Sequence, residues 1–128
     1  MNVHNKLGGL VVALMGSAVL AAAEVPSIFI AGDSTAQEGS TGAFGWGKPF
    51  EALFDASKAN VVNAARGGRS SRTFVTEGHL DRMLAGVKAG DYVLIQFGPN
   101  DGGPINDQRI ARGSLPGLGD EAQELDNL

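Results

Sequence analysis

Residues 27–35 read SIFIAGDST, a short apolar run that ends in small and polar residues. A continuous apolar run of this length, closed by a glycine turn, is typical of a buried β-strand. Two further runs share the pattern, Asn60–Ala64 and Tyr92–Phe97, and glycine and polar residues follow each of them. Strands without alternation of polar and apolar residues indicate a parallel sheet that is covered on both faces.

The segments between the predicted strands carry helical periodicity. Lys48–Ser57 has Pro49 in its first turn and apolar residues at helical spacing, namely Phe50, Leu53 and Phe54. A second helix ends before Gly90, and its apolar stripe consists of Leu80, Met83, Leu84 and Val87. Strands that alternate with helices predict an α/β fold, with helices on both faces of a parallel sheet.

Composition excludes several functional classes. The chain has 128 residues, room for one domain, and it has no cysteine for a disulfide, a thiolate zinc site or a cysteine nucleophile. The formal net charge of −4 provides no basic surface for nucleic acid, so no nucleic-acid partner is expected. No cluster of histidine and carboxylate residues has metal-ligand spacing, and we therefore predict no metal and no cofactor.

The first 23 residues have the pattern of a secretory signal peptide. Lys6 lies in a short polar head, the apolar segment Leu7–Ala23 follows, and three alanines precede Glu24. We expect cleavage after Ala23, a functional domain at residues 24–128, a secreted or periplasmic location and no membrane contact after cleavage. The alternative is an uncleaved membrane anchor, for which the apolar segment is short. Cleavage would remove His4 and leave His79 as the one histidine.

Polar clusters follow all three predicted strands, at residues 32–35 (GDST), 66–70 (RGGRS) and 98–102 (GPNDG). Ligands of parallel sheets bind beyond the carboxyl ends of the strands. The clusters offer a hydroxyl, glycine N–H groups and a side-chain amide, which are a nucleophile and oxyanion donors for acyl transfer. Each cluster alone is equally typical of an ordinary turn. Their recurrence at three successive strand ends favours a site.

Residues 28–37 (IFIAGDSTAQ), 63–74 (NAARGGRSSRTF) and 92–103 (YVLIQFGPNDGG) resemble the first three sequence blocks of the SGNH (GDSL-type) hydrolases. Within that superfamily the chain is most similar to the rhamnogalacturonan acetylesterases, which also share a segment like residues 111–117 (ARGSLPG). The resemblance implies a three-layer α/β/α sandwich with a parallel, flavodoxin-like sheet of strand order 2-1-3-4-5, here truncated after the third strand.

The resemblance also implies roles for individual residues. Ser34 matches the nucleophile, presented on the turn after the first strand. Gly68 and Asn100 match the oxyanion-hole donors, through a backbone N–H and a side-chain amide, and the N–H of Ser34 would complete the hole. Asp33 and Asp101 match supporting positions: Asp33 would orient the nucleophile turn, and Asp101 would brace its own loop.

The second half of the catalytic machinery has no counterpart in the sequence. A serine nucleophile needs a base, and in this family an Asp-x-x-His motif near the C-terminus of a longer domain supplies it. The chain contains no Asp-x-x-His. We expect His79 to be a surface helix residue without a carboxylate to orient it. The hypothesis is therefore an N-terminal portion that has little activity alone and leaves Tyr92–Phe97 as an exposed sheet edge.

The predicted function is that of a serine esterase that deacetylates a pectic polysaccharide, with an acetylated polysaccharide or a small acyl ester as substrate. One alternative is a non-catalytic, secreted carbohydrate-binding remnant, in which arginines such as Arg109 and Arg112 pair with uronate carboxylates. Another is a GDSL lipase or thioesterase, which would prefer long acyl chains to acetyl. The oligomeric state is not predicted.

Overall fold

The computed structural model describes residues 24–39, 42–106 and 109–124. The predicted signal peptide, residues 1–23, lies outside the described residues. Strands and helices alternate along the chain, with two helices before the third strand. The elements are β1 (Ser27–Gly32), α1 (Gly47–Glu51), β2 (Asn60–Asn63), α2 (Ser71–Thr76), α3 (His79–Leu84) and β3 (Tyr92–Gln96).

The three strands form one parallel sheet in the order β2-β1-β3. Ile28 in the central strand pairs with Val61 on one side and with Tyr92 on the other. This confirms the predicted parallel sheet, and the order agrees with the first three strands of a flavodoxin-like fold. Because all strands point the same way, the loops that follow them meet at one end of the sheet.

Alternate side chains of β1 enter two separate cores, as the period of a strand requires. Phe29 and Ala31 pack with Phe74 of α2 and Met83 of α3. Ile30 faces the other way, into a cluster that also contains Ala36, Ala65 and, from α1 and the residue before it, Phe50 and Trp46. Helices therefore cover both faces of the central strand, which confirms the three-layer α/β/α arrangement.

The predicted length of the first helix is wrong. It begins at Gly47 and ends at Glu51, whereas the periodicity predicted a helix to Ser57. The chain turns instead, because Asp55 Oδ1 accepts hydrogen bonds from the N–H (2.9 Å) and Oγ (2.7 Å) of Ser57, which competes with helical bonding. Leu53, predicted on the apolar face, is 79% exposed.

The second predicted helix is preceded by a short one that the sequence reasoning missed. Ser70 caps α2 with a capping box, in which Ser70 accepts from the N–H of Thr73 and its own N–H donates to Thr73 Oγ1. The helix α3 extends from His79 to Leu84, so Val87 of the predicted apolar stripe lies beyond its end. Leu84 is 46% exposed rather than part of the core face. The strand β1 extends one residue past its apolar run, Ser27–Ala31, to Gly32. The strands β2 and β3 each end one residue earlier than predicted, at Asn63 and Gln96.

The strand β3 is covered far less than β1. Tyr92 is 63% exposed and Ile95 is 67% exposed, and Leu94 is exposed as well. Only β1 pairs with β3, so the other side of β3 is an open sheet edge among the described residues. Within the same part of the chain, no helix is long and apolar enough to cross a membrane.

Candidate active site

The turn after β1 presents Ser34 to solvent. The carbonyl oxygen of Asp33 accepts hydrogen bonds from the N–H groups of Ala36 (3.2 Å) and Gln37 (3.0 Å), which closes the turn around Ser34. The Asp33 side chain is fully buried, and its Oδ1 accepts from the N–H of Thr35 at 2.8 Å. The buried Asp33 therefore stabilises the turn, while Ser34 stays exposed.

The end of β3 locks this turn in place. A Cβ at Gly32 would lie 2.9 Å from the carbonyl oxygen of Gln96, so only glycine allows the two strands to end this close together. The side-chain oxygen of Gln96 lies 2.7 Å from Thr35 Oγ1 and accepts from the Trp46 indole N–H at 3.1 Å. The nucleophile turn is thus joined to the third strand and to the segment that leads into α1.

The glycine pair after β2 lies against Ser34. A Cβ at Gly67 would be 3.6 Å from Ser34 Cβ and 2.5 Å from Gln37 Oε1, which accepts the Gly67 N–H at 2.6 Å. Gly68 has φ +73°, a left-handed conformation that favours glycine, and a Cβ there would meet nothing within 4 Å. No described group accepts a hydrogen bond from the Gly68 N–H. That N–H is an available donor beside the exposed serine.

The loop after β3 brings Asn100 to the same turn. Its Nδ2 donates to the carbonyl oxygen of Arg69 at 3.0 Å, and its Oδ1 accepts from Arg112 Nη1 at 3.3 Å. These two contacts fix which way the amide faces and leave its second N–H hydrogen for a ligand. The candidate donors Gly68 and Asn100 therefore belong to two loops that are joined by the hydrogen bond from Asn100 to Arg69.

Asp101 anchors the loop of Asn100 to α2. Its Oδ1 accepts from the backbone N–H of Ser71 (3.0 Å), from the Ser71 hydroxyl and from the Ser114 hydroxyl (3.3 Å). Within residues 24–39, 42–106 and 109–124, Oδ2 of Asp101 and Oδ2 of Asp33 are buried without a hydrogen-bond partner. A buried carboxylate oxygen without a donor costs free energy, so both loops are held at some expense to stability.

A cavity of about 370 Å³ opens beside the nucleophile. Its lining residues are Ser34, Gln37, Gly39, Ala43 and Phe44. Arg109 is exposed and Arg112 is half-buried, and neither lines this cavity. In the described residues, no group of three histidine or carboxylate side chains is placed to hold a metal ion.

His79 has a carboxylate partner, so the expectation that it lacks one is wrong. Gly78 takes a left-handed conformation (φ +71°) between Glu77 and His79, and His79 Nε2 lies 3.0 Å from Glu77 Oε2. The Nδ1 atom accepts from Arg82 at 2.8 Å, and the ring packs on Phe74 with centroids 5.4 Å apart. With only 16% of its side chain exposed, His79 is not the open surface residue that the sequence suggested.

The same cluster holds Glu77 in its ionised form. The Arg69 side chain donates to Glu77 Oε2 at 2.9 Å and lowers the pKa of that carboxyl, with a smaller contribution from His79. Both ring nitrogens of His79 are engaged, and the ring lines a different cavity, of about 230 Å³, which does not include Ser34. His79 is therefore not placed to take a proton from Ser34.

Four residues of this network were missed by sequence reasoning: Gln37, Trp46, Gln96 and, as a partner of Asn100, Arg112. Gln37 lies only three positions after Ser34. The others are distant in sequence, and no spacing connects them to the nucleophile. Gln96 reaches Thr35 because the parallel register places the end of β3 beside the end of β1.

Comparison with known proteins shows the family of this chain. Residues 28–124 match the family profile of the GDSL-like lipases and acylhydrolases. The chain is 37% identical over 113 residues to a rhamnogalacturonan acetylesterase of Emericella nidulans, a match that covers 88% of this chain and 43% of that protein. It is 42% identical over 80 residues to the rhamnogalacturonan acetylesterase RhgT of Bacillus subtilis, covering 60% of this chain and 34% of that protein.

Among solved structures, the chain is similar to protein YxiM of Bacillus subtilis, with a TM-score of 0.56 and 34% identity over 61% of this chain and 23% of that one. The chain thus spans less than half the length of these relatives. The family match nevertheless includes all three strands and the loops that carry Ser34, Gly68 and Asn100. The chain belongs to the GDSL-like lipase/acylhydrolase family.

Proposed function

We propose that this chain is the nucleophile-bearing part of an SGNH-type serine esterase that removes acetyl groups from a pectic polysaccharide of the rhamnogalacturonan class. One observation carries the proposal: the exposed Ser34 lies against Gly67, in the same loop as Gly68 and as Arg69, whose carbonyl oxygen accepts a hydrogen bond from the Asn100 side chain. The names of the Emericella and Bacillus relatives support the acetyl group and the polysaccharide.

In the proposed reaction, Ser34 Oγ forms a bond to the ester carbonyl carbon, and the carbonyl electron pair moves onto its oxygen. The Ser34 N–H, the Gly68 N–H and the Asn100 amide stabilise that oxyanion. A general base takes the hydroxyl proton and gives it to the sugar oxygen as the ester C–O bond breaks. Water then attacks the acetyl-serine, acetate leaves, and the proton returns to Ser34.

The base is the part of this reaction that the described residues do not provide, since both nitrogens of His79 are engaged. We therefore expect the chain alone to accept an acetyl group slowly from a reactive ester. Deacylation also needs a base to activate water, so it should be slow too. The acetyl-serine should accumulate instead of turning over.

The first test is acetylation of the full chain by p-nitrophenyl acetate, followed by peptide mass spectrometry. We expect one acetyl group on Ser34, none there in Ser34→Ala, and an unchanged result for Ser57→Ala, which removes another exposed serine. Asn100→Ala should slow the acetylation of Ser34 about 100-fold or more, the typical effect of one lost oxyanion donor. Modification of surface lysines alone, at the same rate in Ser34→Ala, would rule out the proposed nucleophile.

The second test addresses the acyl group and distinguishes a lipase. The full chain is treated with p-nitrophenyl esters of acetate and of octanoate, and the rates of Ser34 acylation are compared. An acetylesterase should acylate faster with acetate, whereas a lipase-like relative should prefer octanoate. Binding to acetylated rhamnogalacturonan without any acylation of Ser34 would favour the carbohydrate-binding alternative.

We also propose that the protein acts outside the cytoplasm, because residues 1–23 have the composition of a signal peptide. Expression in a secreting host tests this directly. The protein recovered outside the cytoplasm should begin at Glu24, as N-terminal peptide mass spectrometry would show. An intact N-terminus in the membrane fraction would indicate an anchor instead.

A further inference from the structure

We propose that Arg69 is a positioning residue for the oxyanion hole and that Glu77 holds Arg69 in place for this role. The Arg69 side chain fixes the orientation of the peptide between Gly67 and Gly68, and with it the direction of the Gly68 N–H. The orientation of this peptide follows from the contacts of the loop. Its effect on acyl transfer rests on the function proposed above, and the two can fail separately.

The loop after β2 is a turn whose central peptide has two available orientations. The Arg69 N–H donates to the Arg66 carbonyl oxygen at 3.3 Å, and Gly68, the third residue of the turn, has φ +73°. A positive φ at this position is typical of a type II turn, whereas a type I turn has φ of about −90° there. The two types differ by a rotation of the central peptide through roughly half a circle, which reverses the direction of its N–H. Because both central residues are glycine, no side chain excludes either type.

The Arg69 side chain selects one of these orientations. Its Nη1 donates to the Gly67 carbonyl oxygen at 3.1 Å, and this oxygen belongs to the same peptide as the Gly68 N–H. In this trans peptide the C=O and N–H bonds point in opposite directions, so a donor that holds the oxygen also directs the hydrogen. The bond from the Gly67 N–H to Gln37 Oε1 restrains only the preceding peptide. Rotation to the type I orientation would break the bond from Arg69.

Glu77 fixes the guanidinium of Arg69 in this position. It follows the last residue of α2, eight residues after Arg69, and its Oε2 accepts from Arg69 Nε at 2.9 Å. The guanidinium is planar and rigid, so contacts at Nε and at Nη1 together define its orientation. Glu77 is itself held by His79: the Nδ1 atom of that ring accepts from Arg82, so Nε2 carries the hydrogen that points to Glu77 Oε2 at 3.0 Å. The carboxylate therefore has two donors.

Arg69 connects both candidate donors of the oxyanion hole. Its carbonyl oxygen accepts from Asn100 Nδ2 at 3.0 Å, while its side chain holds the peptide of Gly68. The side chains of Arg69 and Glu77 are 34% and 32% exposed, so water competes less for their ion pair than for a fully exposed one. Loss of the Arg69 side chain should therefore disturb the Gly68 donor, whereas the bond from Asn100 to the main chain remains.

The first experiment observes the peptide itself, by nuclear Overhauser effects in the full chain. The N–H protons of Gly67 and Gly68 lie far apart in a type II turn and close together in a type I turn. Their cross-peak should be weak in the unmodified chain and about fivefold stronger or more in Arg69→Met, because the released peptide also adopts the type I orientation. Arg66→Met is the matched control, since Arg66 lies in the same turn and its side chain has no hydrogen-bond or ion-pair partner among the described residues. It should leave the cross-peak weak.

The second experiment measures the acetylation of Ser34 by p-nitrophenyl acetate. Arg69→Met should slow it about tenfold or more, toward the loss of roughly 100-fold expected for one missing oxyanion donor. Glu77→Gln should slow it about threefold, because the ion pair is lost while Arg69 still reaches the Gly67 carbonyl. In the Arg69→Met background, Glu77→Gln should have no further effect, since Glu77 acts only through Arg69. Arg66→Met should react as the unmodified chain does.

Two results would overturn the role of Arg69: a cross-peak in Arg69→Met as weak as in the unmodified chain, or a stronger cross-peak without slower acetylation. Additive effects of Arg69→Met and Glu77→Gln would refute the role of Glu77. If the unmodified chain is not acetylated at Ser34, the esterase function and the oxyanion role fall together, while the cross-peak still decides what orients the peptide. Arg69→Lys replaces Arg69→Met if circular dichroism shows that the latter fails to fold, since a single ammonium lacks the rigid fork that holds both Glu77 and Gly67.

Discussion

β1 and β3 are neighbours in one sheet and have similarly apolar sequences, yet their surroundings are opposite. Ile30 and Ala31 of β1 are 0% and 1% exposed, whereas Tyr92 and Ile95 of β3 are 63% and 67% exposed. The difference arises because β1 has a strand on each side and helices on both faces, while within the described part of the chain β3 has one strand beside it. An apolar strand sequence shows the environment that a strand requires, not the environment that a given chain provides.

The largest expected effect is a difference in stability between the same substitution, isoleucine to alanine, made in β1 and in β3. Ile30→Ala should lower the free energy of unfolding by about 2–5 kcal/mol, because it leaves a cavity in a closed core. Ile95→Ala should change it by less than about 0.5 kcal/mol, because the side chain is already in water. Urea unfolding of the full chain measures both. Similar losses for the two variants would mean that β3 is covered in solution.

A smaller effect is expected where the two strands end. Gly32→Ala would place a Cβ 2.9 Å from the Gln96 carbonyl oxygen and 3.0 Å from Ala36 Cβ, which should cost about 1–3 kcal/mol in unfolding free energy. Gly98→Ala is the matched control, since a Cβ there meets nothing within 4 Å, and its effect should stay within about 1 kcal/mol. Thermal and urea unfolding would reveal the difference. If both variants proved equally stable, the close approach of β1 and β3 would be refuted.

The smallest expected effect concerns Asp91, whose carboxylate lies where β1 and β3 begin. Asp91 accepts from the N–H of Ser27 (2.7 Å) and from the N–H of Lys88 (2.8 Å), and the Ser27 bond is the main reason that the pKa of Asp91 is lowered. A lowered pKa means that this stabilisation is present above the unfolded-state pKa of 3.8 and is lost as the pH falls through the folded-state value. Asp91→Asn should therefore be less stable than the unmodified chain at neutral pH.

The measurement compares the stability of the unmodified chain with that of Asp91→Asn as the pH is changed. Urea unfolding at neutral pH and at a pH below the folded-state pKa should show a difference between the two proteins that shrinks on the acid side. The effect should be modest, because the carboxylate is only partly buried and salt screens it. A constant difference at every pH would show that the charge of Asp91 contributes nothing.

The strands were predictable because each is a continuous apolar run with a glycine close behind it, whereas their order was implied by the family resemblance. The helices were harder. The segment Ser71–Thr76 contains threonine and valine, which are poor helix formers, and only the spacing of Ser70 and Thr73 indicates the capped turn that starts it. The end of α1 depends on a local Asp55–Ser57 turn that overrides the periodicity of Leu53.

The candidate site was likewise predictable only in part. Ser34, Gly68 and Asn100 lie at the ends of strands, where parallel topology and family resemblance both direct attention. The partners that hold them come from tertiary register, which one sequence does not reveal. Thr35 and Trp46 both donate to the Gln96 side chain, and Arg112 reaches Asn100 from 12 residues downstream. The pairing of Glu77 with His79 likewise required the left-handed Gly78.

The hydrogen bond between Asn100 and the Arg69 carbonyl has a practical consequence for redesigning substrate range. It couples the two donor loops, so a substitution in either loop would alter oxyanion binding for every ester alike. Among the described residues, no hydrogen bond joins Ala43 or Phe44 directly to either donor loop, and Phe44 is 59% exposed. Libraries aimed at new acyl or alcohol groups should therefore vary Phe44 and its neighbours and leave the two coupled loops unchanged.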